Sequence, residues 1–525
     1  MSISSTILKL RNDNKLSQSE FAEIFGVSQQ SIQKWESGTT TPDIEKLIKI
    51  SKYFGISLDA LVFGKGKREM EIDMEKNIIP NVDVAGNWEL YSESVMQEYY
   101  QCIQEGKDIK KYSNLFTAVA NLSRSNYKTK LADVLFEIAI NAPKCTDFNY
   151  NEPSDLDGIR HLCQKYDLEL KKPKSDKMLD KVYGAWMGRI IGCVLGKTVE
   201  CCGYDDLVNF LKATDNYPMH RYIYYSDLEK INLDDYKFDF KHSFYVDQFE
   251  NYTFPDDDTN YTVLAQLMIN SCGRDFTSFD VARTWLALQT RDTHCTAEKV
   301  AYINFMNGYY PPVSAIYKNP FREWIGAQIR ADYFGYINPG DPEKAAEMAF
   351  KDACISHTKN GIYGEMFVAA MLAIAASVNN IEDIILGGLS FVPVTSRLYE
   401  DIMNIYNGYK SGRSQNDAFK YIHKKYDSTE NGGWVHTNPS AMVVVTSLLY
   451  GKCDYGKSIC MAVDNGFDTD CNAATVGSII GMIIGYDRIP DYWKKPIKNE
   501  MHADIYLHEV VDIKKCAEET VKHFA

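Results

Sequence analysis

Acidic residues gather in two short stretches of the sequence. Residues 255–259 read PDDDT, with Asp256, Asp257 and Asp258 in succession. Residues 466–472 read GFDTDCN, with Asp468 and Asp470 around Thr469 and just before Cys471. Each stretch runs straight into an apolar helical pattern, NYTVLAQLMI after the first and AATVGSIIG after the second. Adjacent carboxylates repel and raise one another's pKa. A helix N-terminus eases each charge by about 0.3–1 kcal/mol, too little for acids clustered this densely. A bound divalent cation resolves the repulsion, and oxygen ligands suit Mg²⁺, Ca²⁺ or Mn²⁺ better than zinc. Either stretch alone reads more readily as N-cap chemistry than as a metal site. The two together, each opening an apolar helix, point to a metal site.

The helices that must position these acids carry glycine at every fourth residue. Gly184, Gly188, Gly192 and Gly196 recur in YGAWMGRIIGCVLGKTVE, and Gly477, Gly481 and Gly485 in TVGSIIGMIIGY. Residues four apart share one helix face. Each glycine costs about 1 kcal/mol of helix propensity against alanine, so something is expected to approach these faces at backbone distance. Membrane dimerisation uses the same spacing, but Arg189 and the short apolar length argue for a tightly packed helical bundle instead.

The remaining composition narrows the setting. The chain has 525 residues, enough for several domains, and a net charge of −14, so any nucleic-acid contact must come from a local surface. Its 13 cysteines show no zinc-type spacing and are expected to be reduced cytosolic thiols. No apolar run approaches the ~18 residues of a membrane span, and the first residues lack a signal-peptide core. A cytoplasmic location without membrane attachment is expected.

The first 64 residues have a helical grammar of their own. Ser17 and Glu20 form a capping box, Phe21, Ala22, Ile24 and Phe25 follow as a buried face, and Gly26 makes a turn. Ser28 caps a second helix with Ile32 and Trp35 facing inward, and Leu47, Ile48 and Ile50 mark a helix after Pro42. The stretch LSQSEFAEIFGVSQQSIQKWESGTTTPD (16–43) resembles the Cro/phage-repressor (XRE) helix-turn-helix family. That resemblance implies a five-helix domain over residues 1–68 that binds double-stranded DNA. It puts Gln29, Gln30, Ser31 and Lys34 on the groove side of the recognition helix and Gln18 near a phosphate. Glutamine can contact adenine in bidentate fashion, so Gln29 and Gln30 are candidate base readers. A helical protein-interaction module is the alternative. Residues 1–64 hold seven Lys/Arg and seven Asp/Glu, a modest footprint from which DNA affinity is expected to need a dimer or tetramer. Residues 69–85 read as a charged linker, and 86–175 as a helical extension that packs on the larger domain or makes an oligomer contact.

Residues 176–525 resemble the ADP-ribosylglycohydrolase family, relatives of the dinitrogenase-reductase-activating glycohydrolase. The resemblance is carried by GAWMGRIIGCVLGKTVE (184–200), PDDDT (255–259), IGAQIRADYFGYINPG (325–340), ISHTKNGIYGEMFVAAMLA (355–373) and GFDTDCNAATVGSIIG (466–481), in that order. It implies an all-α bundle around two Mg²⁺ (or Mn²⁺) ions. By position, Asp256, Asp257, Asp258, Asp468, Asp470 and Cys471 match the metal ligands. Glu200, Asp257, Asp258 and Asp470 are the candidate catalytic acids, and Glu200 matches a mobile acid near the scissile bond. Gly326, Ala327 and His357 match positions near the ribose and phosphates. Three residues depart from the pattern: Asp256 and Cys471 stand where threonine is common, and Cys193 replaces an acid.

Three functions follow. The first is a dinuclear-metal hydrolase that cleaves the glycosidic bond of an ADP-ribosyl conjugate, joined to a DNA-binding, autoregulatory module. The second is a transcriptional regulator whose hydrolase-like domain senses an ADP-ribose-like nucleotide. The third is a hydrolase of another N- or O-glycoside, with residues 204–254, rich in Tyr and Asp, reshaping its pocket.

Overall fold

Apolar residues at three- and four-residue spacing fold as α-helices through nearly the whole chain. A computed structural model describes residues 3–56, 58, 61, 81–170, 173, 177–249, 253–427 and 432–524. Among these residues the protein is all-α except for a two-stranded antiparallel hairpin, β1 (Glu500–His502) with β2 (Val510–Asp512). The chain divides into two compact units, Met1–Pro80 and Asn81–Ala525.

The first unit contains α1 (Ile3–Asp13), α2 (Gln18–Phe25), α3 (Gln29–Glu36) and α4 (Ile44–Phe54). The capping box is present: Glu20 N donates to Ser17 Oγ at 3.2 Å, and Ser17 N donates to Glu20 Oε2 at 2.7 Å. Gly26 closes α2 at φ 62°, a left-handed conformation that glycine adopts without penalty. Ile7, Phe21, Ala22, Phe25, Ile32, Trp35, Ile50 and Leu61 form the core. Ile24 is exposed, against the expectation that it belongs to the buried face, and Ile48 is exposed too. The apolar stripe of these short helices is narrower than their apolar content. The fifth expected helix and the linker 69–85 fall mostly outside the described residues.

In the second unit, α5 (Val95–Gln104), α6 (Ser113–Ala120) and α7 (Asn126–Asn141) enclose a small core around Cys102, Phe116 and Leu135. A buried charge network joins α5 to the larger core. Arg322 donates to Glu98 and Glu105 at 2.7–3.1 Å, and Gln101 donates to Glu323 at 2.7 Å. Three helices form the centre of that core: α8 (Met178–Lys197), α14 (Asn360–Ala375) and α16 (Thr469–Ile484). Between α8 and α14 in the chain lie α9 (Tyr204–Ala213), α10 (Asp257–Cys272), α11 (Thr296–Met306), α12 (Asp332–Tyr336) and α13 (Pro342–Ala353), and α15 (Thr437–Gly451) precedes α16. Every residue of α14 is buried, as is α8 from Gly184 to Gly196 and nearly every residue of α16, so these stretches are buried all round rather than on one stripe. No helix among the described residues is long and apolar enough to cross a membrane.

Candidate active site and metal centre

The two glycine stripes meet each other. A Cβ placed on Gly188 would lie 2.1 Å from Gly477 O, and one on Gly481 would lie 2.1 Å from Gly184 O. A Cβ on Gly192 would lie 2.0 Å from Ala473 O, and one on Gly196 would lie 2.3 Å from Thr469 O. The pairing order is antiparallel, so α8 and α16 run backbone against backbone. This register brings the C-terminal end of α8, with Lys197 and Glu200, against the N-terminal end of α16, with Asp468 and Asp470. Thr469 Oγ1 locks the end of the seam by donating to Gly196 O at 2.9 Å.

Helix α10 brings the first acidic motif to the same point. Asp256 is its N-cap: Oδ1 accepts from Asp258 N at 2.9 Å, leaving Oδ2 to face inward. Lys197 Nζ reaches Asp256 Oδ2 at 2.8 Å, Asp470 Oδ2 at 3.2 Å and Glu200 Oε2 at 2.5 Å. One ammonium therefore ties together acids from three chain segments. Deeper in, buried Arg189 donates to Asp258 Oδ1 and to Asp332 Oδ2, both at 2.9 Å. Asp258 Oδ2 is buried and has no hydrogen-bond partner among the described residues.

Two sets of ligand-type atoms lie within 4.8 Å of one another: Cys193 with Asp256 and Asp258, and Asp258 with Asp470 and Cys471. Asp258 belongs to both. A cation fits this donor set, because Asp258, common to both sets, has a buried oxygen unpartnered among the described residues and each set adds a second carboxylate. Asp257 and Asp468 lie beside these sets and belong to neither. Asp468 instead shares a hydrogen bond with Asp470.

The acids hold protons unevenly. Burial pushes Glu200 up to about 8, reinforced by Asp470 and Asp256. Burial, with Asp256 next in effect, pushes Asp257 up to about 7. Burial opposes ionisation of Asp470 too, but Lys197, the Asp468 hydrogen bond and Cys471 N–H hold its carboxyl below the usual range. Carboxyls with raised values stabilise the fold fully below their unfolded range and lose that contribution as pH rises through 7 and 8. The metal-free protein is therefore expected to melt at progressively lower temperature from about pH 5 to pH 8, and a divalent cation to flatten the slope. Thermal melts in chelator and in Mn²⁺ across that range check this; a metal-free stability that rises over the interval would contradict it.

A second charged cluster stands behind the first. Arg330 pairs with Asp352 and with Glu298 at 2.7 Å, and lies 3.6 Å from Glu365; all four side chains are buried. Burial pushes Glu298 up to about 7 against the pull of Arg330. The expected ribose and phosphate positions lie on this cluster. A Cβ on Gly326 would sit 2.1 Å from Glu298 Oε1, so the glycine makes room for that acid. Ala327 is fully buried. His357 is buried, its Nδ1 lies 2.8 Å from Ser356 Oγ, and burial and Arg330 keep the ring neutral. Its Nε2 has no partner among the described residues. The sequence reading missed Lys197, Glu298 and Arg330. Only Lys197 carried a signal, a lone cation one helical turn before Glu200.

Glu200 is the exception to this enclosure, with a side chain 30% exposed against 1–2% for Asp256 and Asp470. Beside it opens a cleft of about 910 Å³, lined among others by Cys201, Tyr204, Tyr217, Phe238, His423 and Asn465. Part of that lining comes from the segment 204–254. Its only α-helix among the described residues is α9, followed by short 3₁₀ turns.

In the N-terminal unit, Gln29, Gln30 and Lys34 are exposed on α3, opposite the buried Ile32 and Trp35. Ser31 Oγ lies 2.9 Å from Ser28 Oγ. Gln18 is half-buried, and its Nε2 donates to Glu36 Oε2 at 2.7 Å, where Arg11 also pairs at 2.5 Å.

The chain joins a helix-turn-helix unit to an all-helical core with an acid cluster at the head of a glycine seam, and family profiles give the class: a glycohydrolase-like enzyme domain with a helix-turn-helix domain at its front. The chain belongs to the ADP-ribosylglycohydrolase family, whose profile matches residues 174–523. Residues 7–61 match a helix-turn-helix profile. Over 65 residues (12% of this chain, 32% of the relative) the sequence is 38% identical to the "HTH-type transcriptional activator BcrR" of Enterococcus faecalis, so it spans about a third of that protein. Over 104 residues (19% of this chain, 90% of the relative) it is 27% identical to the "Uncharacterized HTH-type transcriptional regulator YqaE" of Bacillus subtilis (strain 168). A solved structure described as "ADP-ribosylglycohydrolase-related protein complex" aligns with 67% of this chain and 100% of its own, at 15% identity and a TM-score of 0.42.

Proposed function

We propose that this protein hydrolyses the glycosidic bond of an ADP-ribosyl conjugate with the help of divalent cations held by Asp256, Asp258, Asp470 and their neighbours. The observation that carries the reading is the meeting of both acidic motifs around Asp258, whose buried Oδ2 has no partner among the described residues, beside the partly exposed Glu200. A cation bound there would bring Lewis-acid polarisation of a sugar hydroxyl or water oxygen. The chain's own groups do the rest. Glu200 stands at the rim, where it can exchange a proton with the substrate or with the attacking water. Lys197 holds Glu200 in place against Asp256 and Asp470. The buried acids supply the negative potential that an oxocarbenium-like transition state needs. The cleft that begins at Cys201, the residue after Glu200, would receive the leaving group.

The test is release of ADP-ribose from arginine-, serine- and nucleic-acid-linked substrates and small conjugates. It is run with Mg²⁺, with Mn²⁺ and with chelator, beside an Asp258→Asn/Asp470→Asn variant, which removes a carboxylate from both ligand sets. Cation-dependent release lost in the variant is the expected result. No release across the panel would overturn the hydrolase reading and leave nucleotide sensing or another glycoside, with ADP-ribose binding measured next.

The helix-turn-helix is proposed to bind double-stranded DNA through Gln29, Gln30, Ser31 and Lys34. On a fragment selected from a random pool by the full-length protein, Gln29→Ala is expected to cost about 1–3 kcal/mol and relax preference at one base pair. Lys34→Ala is expected to weaken all sequences alike and lower the salt slope by about 1. Fluorescence anisotropy at several salt concentrations measures both; unchanged binding by both variants would favour a protein-interaction module.

A further inference from the structure

Each of the two ligand sets contains one sulfur. Cys193 completes the set with Asp256 and Asp258, and Cys471 completes the set with Asp258 and Asp470. The two residues come from different helices, α8 and α16, and from motifs far apart in sequence. Both are free thiols, 1% and 7% exposed. A buried cysteine usually packs as a small hydrophobe. These two instead face carboxylates: Cys193 is beside Asp256 and Asp258, and Cys471 beside Asp258 and Asp470. The carboxylate common to both sets, Asp258, is fully buried, and its Oδ2 has no hydrogen-bond partner among the described residues. A site built for a hard, oxygen-seeking cation gains nothing from sulfur at these two points. A serine of similar size would serve Mg²⁺ better.

We propose that Cys193 and Cys471 are sulfur ligands and that the centre takes a borderline transition-metal ion (Zn²⁺, Fe²⁺ or Co²⁺) in preference to Mg²⁺. The inference rests on reading the acid cluster as a metal centre. Ligation exchanges each S–H bond for a metal–sulfur bond, and the proton leaves to solvent. The oxidation state of the metal does not change.

Cobalt(II) tests this through its spectrum and not through turnover. The full-length protein, stripped with chelator, is titrated with Co²⁺, and binding is counted by equilibrium dialysis. A near-ultraviolet sulfur-to-cobalt charge-transfer band is expected at stoichiometric Co²⁺. It should fall by roughly half in Cys193→Ser and in Cys471→Ser and vanish in the double variant, while Co²⁺ still binds through oxygen. Zn²⁺ should displace the bound Co²⁺ at equal concentration, and Mg²⁺ should fail to do so at ~100-fold excess. Metal-free melting temperatures establish that the serine variants fold. Bound Co²⁺ without the band, a band that survives the double substitution, or ready displacement by Mg²⁺ would overturn the inference and leave the metal-centre reading intact. Failure of any divalent ion to bind would overturn both.

Discussion

Asp258→Asn is expected to lower ADP-ribose release by about 10³-fold or more, the scale on which removing one preorganised charge acts in a water-excluded site. Asp258 is the residue shared by both ligand sets, so a single atom exchange weakens both at once. The same exchange should leave the fold nearly untouched. Asparagine keeps an acceptor for Arg189, and Arg189 retains Asp332 at 2.9 Å and Ile329 O at 2.7 Å. Burial, reinforced by Asp470, Asp256 and Asp257, holds the Asp258 carboxyl above its ordinary range despite Arg189, so a neutral amide resembles the metal-free state. The metal-free variant should therefore melt close to the metal-free wild type. The rise in melting temperature on adding Mn²⁺ should be lost, because ligand stabilisation scales with affinity for the folded state. Asp332→Asn is the comparison: it touches the same arginine from outside both ligand sets and should keep most of the metal-induced rise. A full metal-induced rise in Asp258→Asn would remove Asp258 from the centre.

Much of the candidate site was legible because its chemistry is local. Three successive aspartates before an apolar run and a second acid pair before another mark two helix starts rich in charge, and both helices start where the acids predict. The glycine spacing foretold backbone contact, but a single helix face does not name its partner. That the two stripes pack on each other, in antiparallel register, appears only in three dimensions. Lys197 was hidden for the same reason: its ammonium reaches Asp256 and Asp470, which belong to other helices. Glu298 and Arg330 lay deeper still. Each reads as one charged residue in a helical pattern, and only burial around a common point makes them a cluster. Ile24 shows the opposite error, an apolar residue counted as core because of its neighbours although its own position faces solvent.

Gly192→Ala is expected to be the most damaging single-methyl change in the chain, costing more than about 4 kcal/mol and yielding little folded protein. The added Cβ would lie 2.0 Å from Ala473 O and 2.3 Å from Ala473 C. Both are backbone atoms of a buried helix, so no side-chain rotamer can relieve the clash; α8 and α16 must part by more than about 1 Å there. Gly203→Ala supplies the contrast. No heavy atom lies within 4 Å of a Cβ there, and Gly203 serves as the N-cap of α9 at φ −60°, so the change should cost no more than about 1 kcal/mol. Urea midpoints of the two variants give the comparison. The seam also sets the chemistry, because the same contact holds Lys197 and Glu200 opposite Asp468 and Asp470. Any folded fraction of Gly192→Ala that survives should have these acids displaced by about 1 Å, a misplacement that costs roughly 10²-fold in rate. Its activity per folded molecule should therefore fall along with its stability. A stable variant with full activity would mean that backbone contact between the two helices is not what aligns the acids.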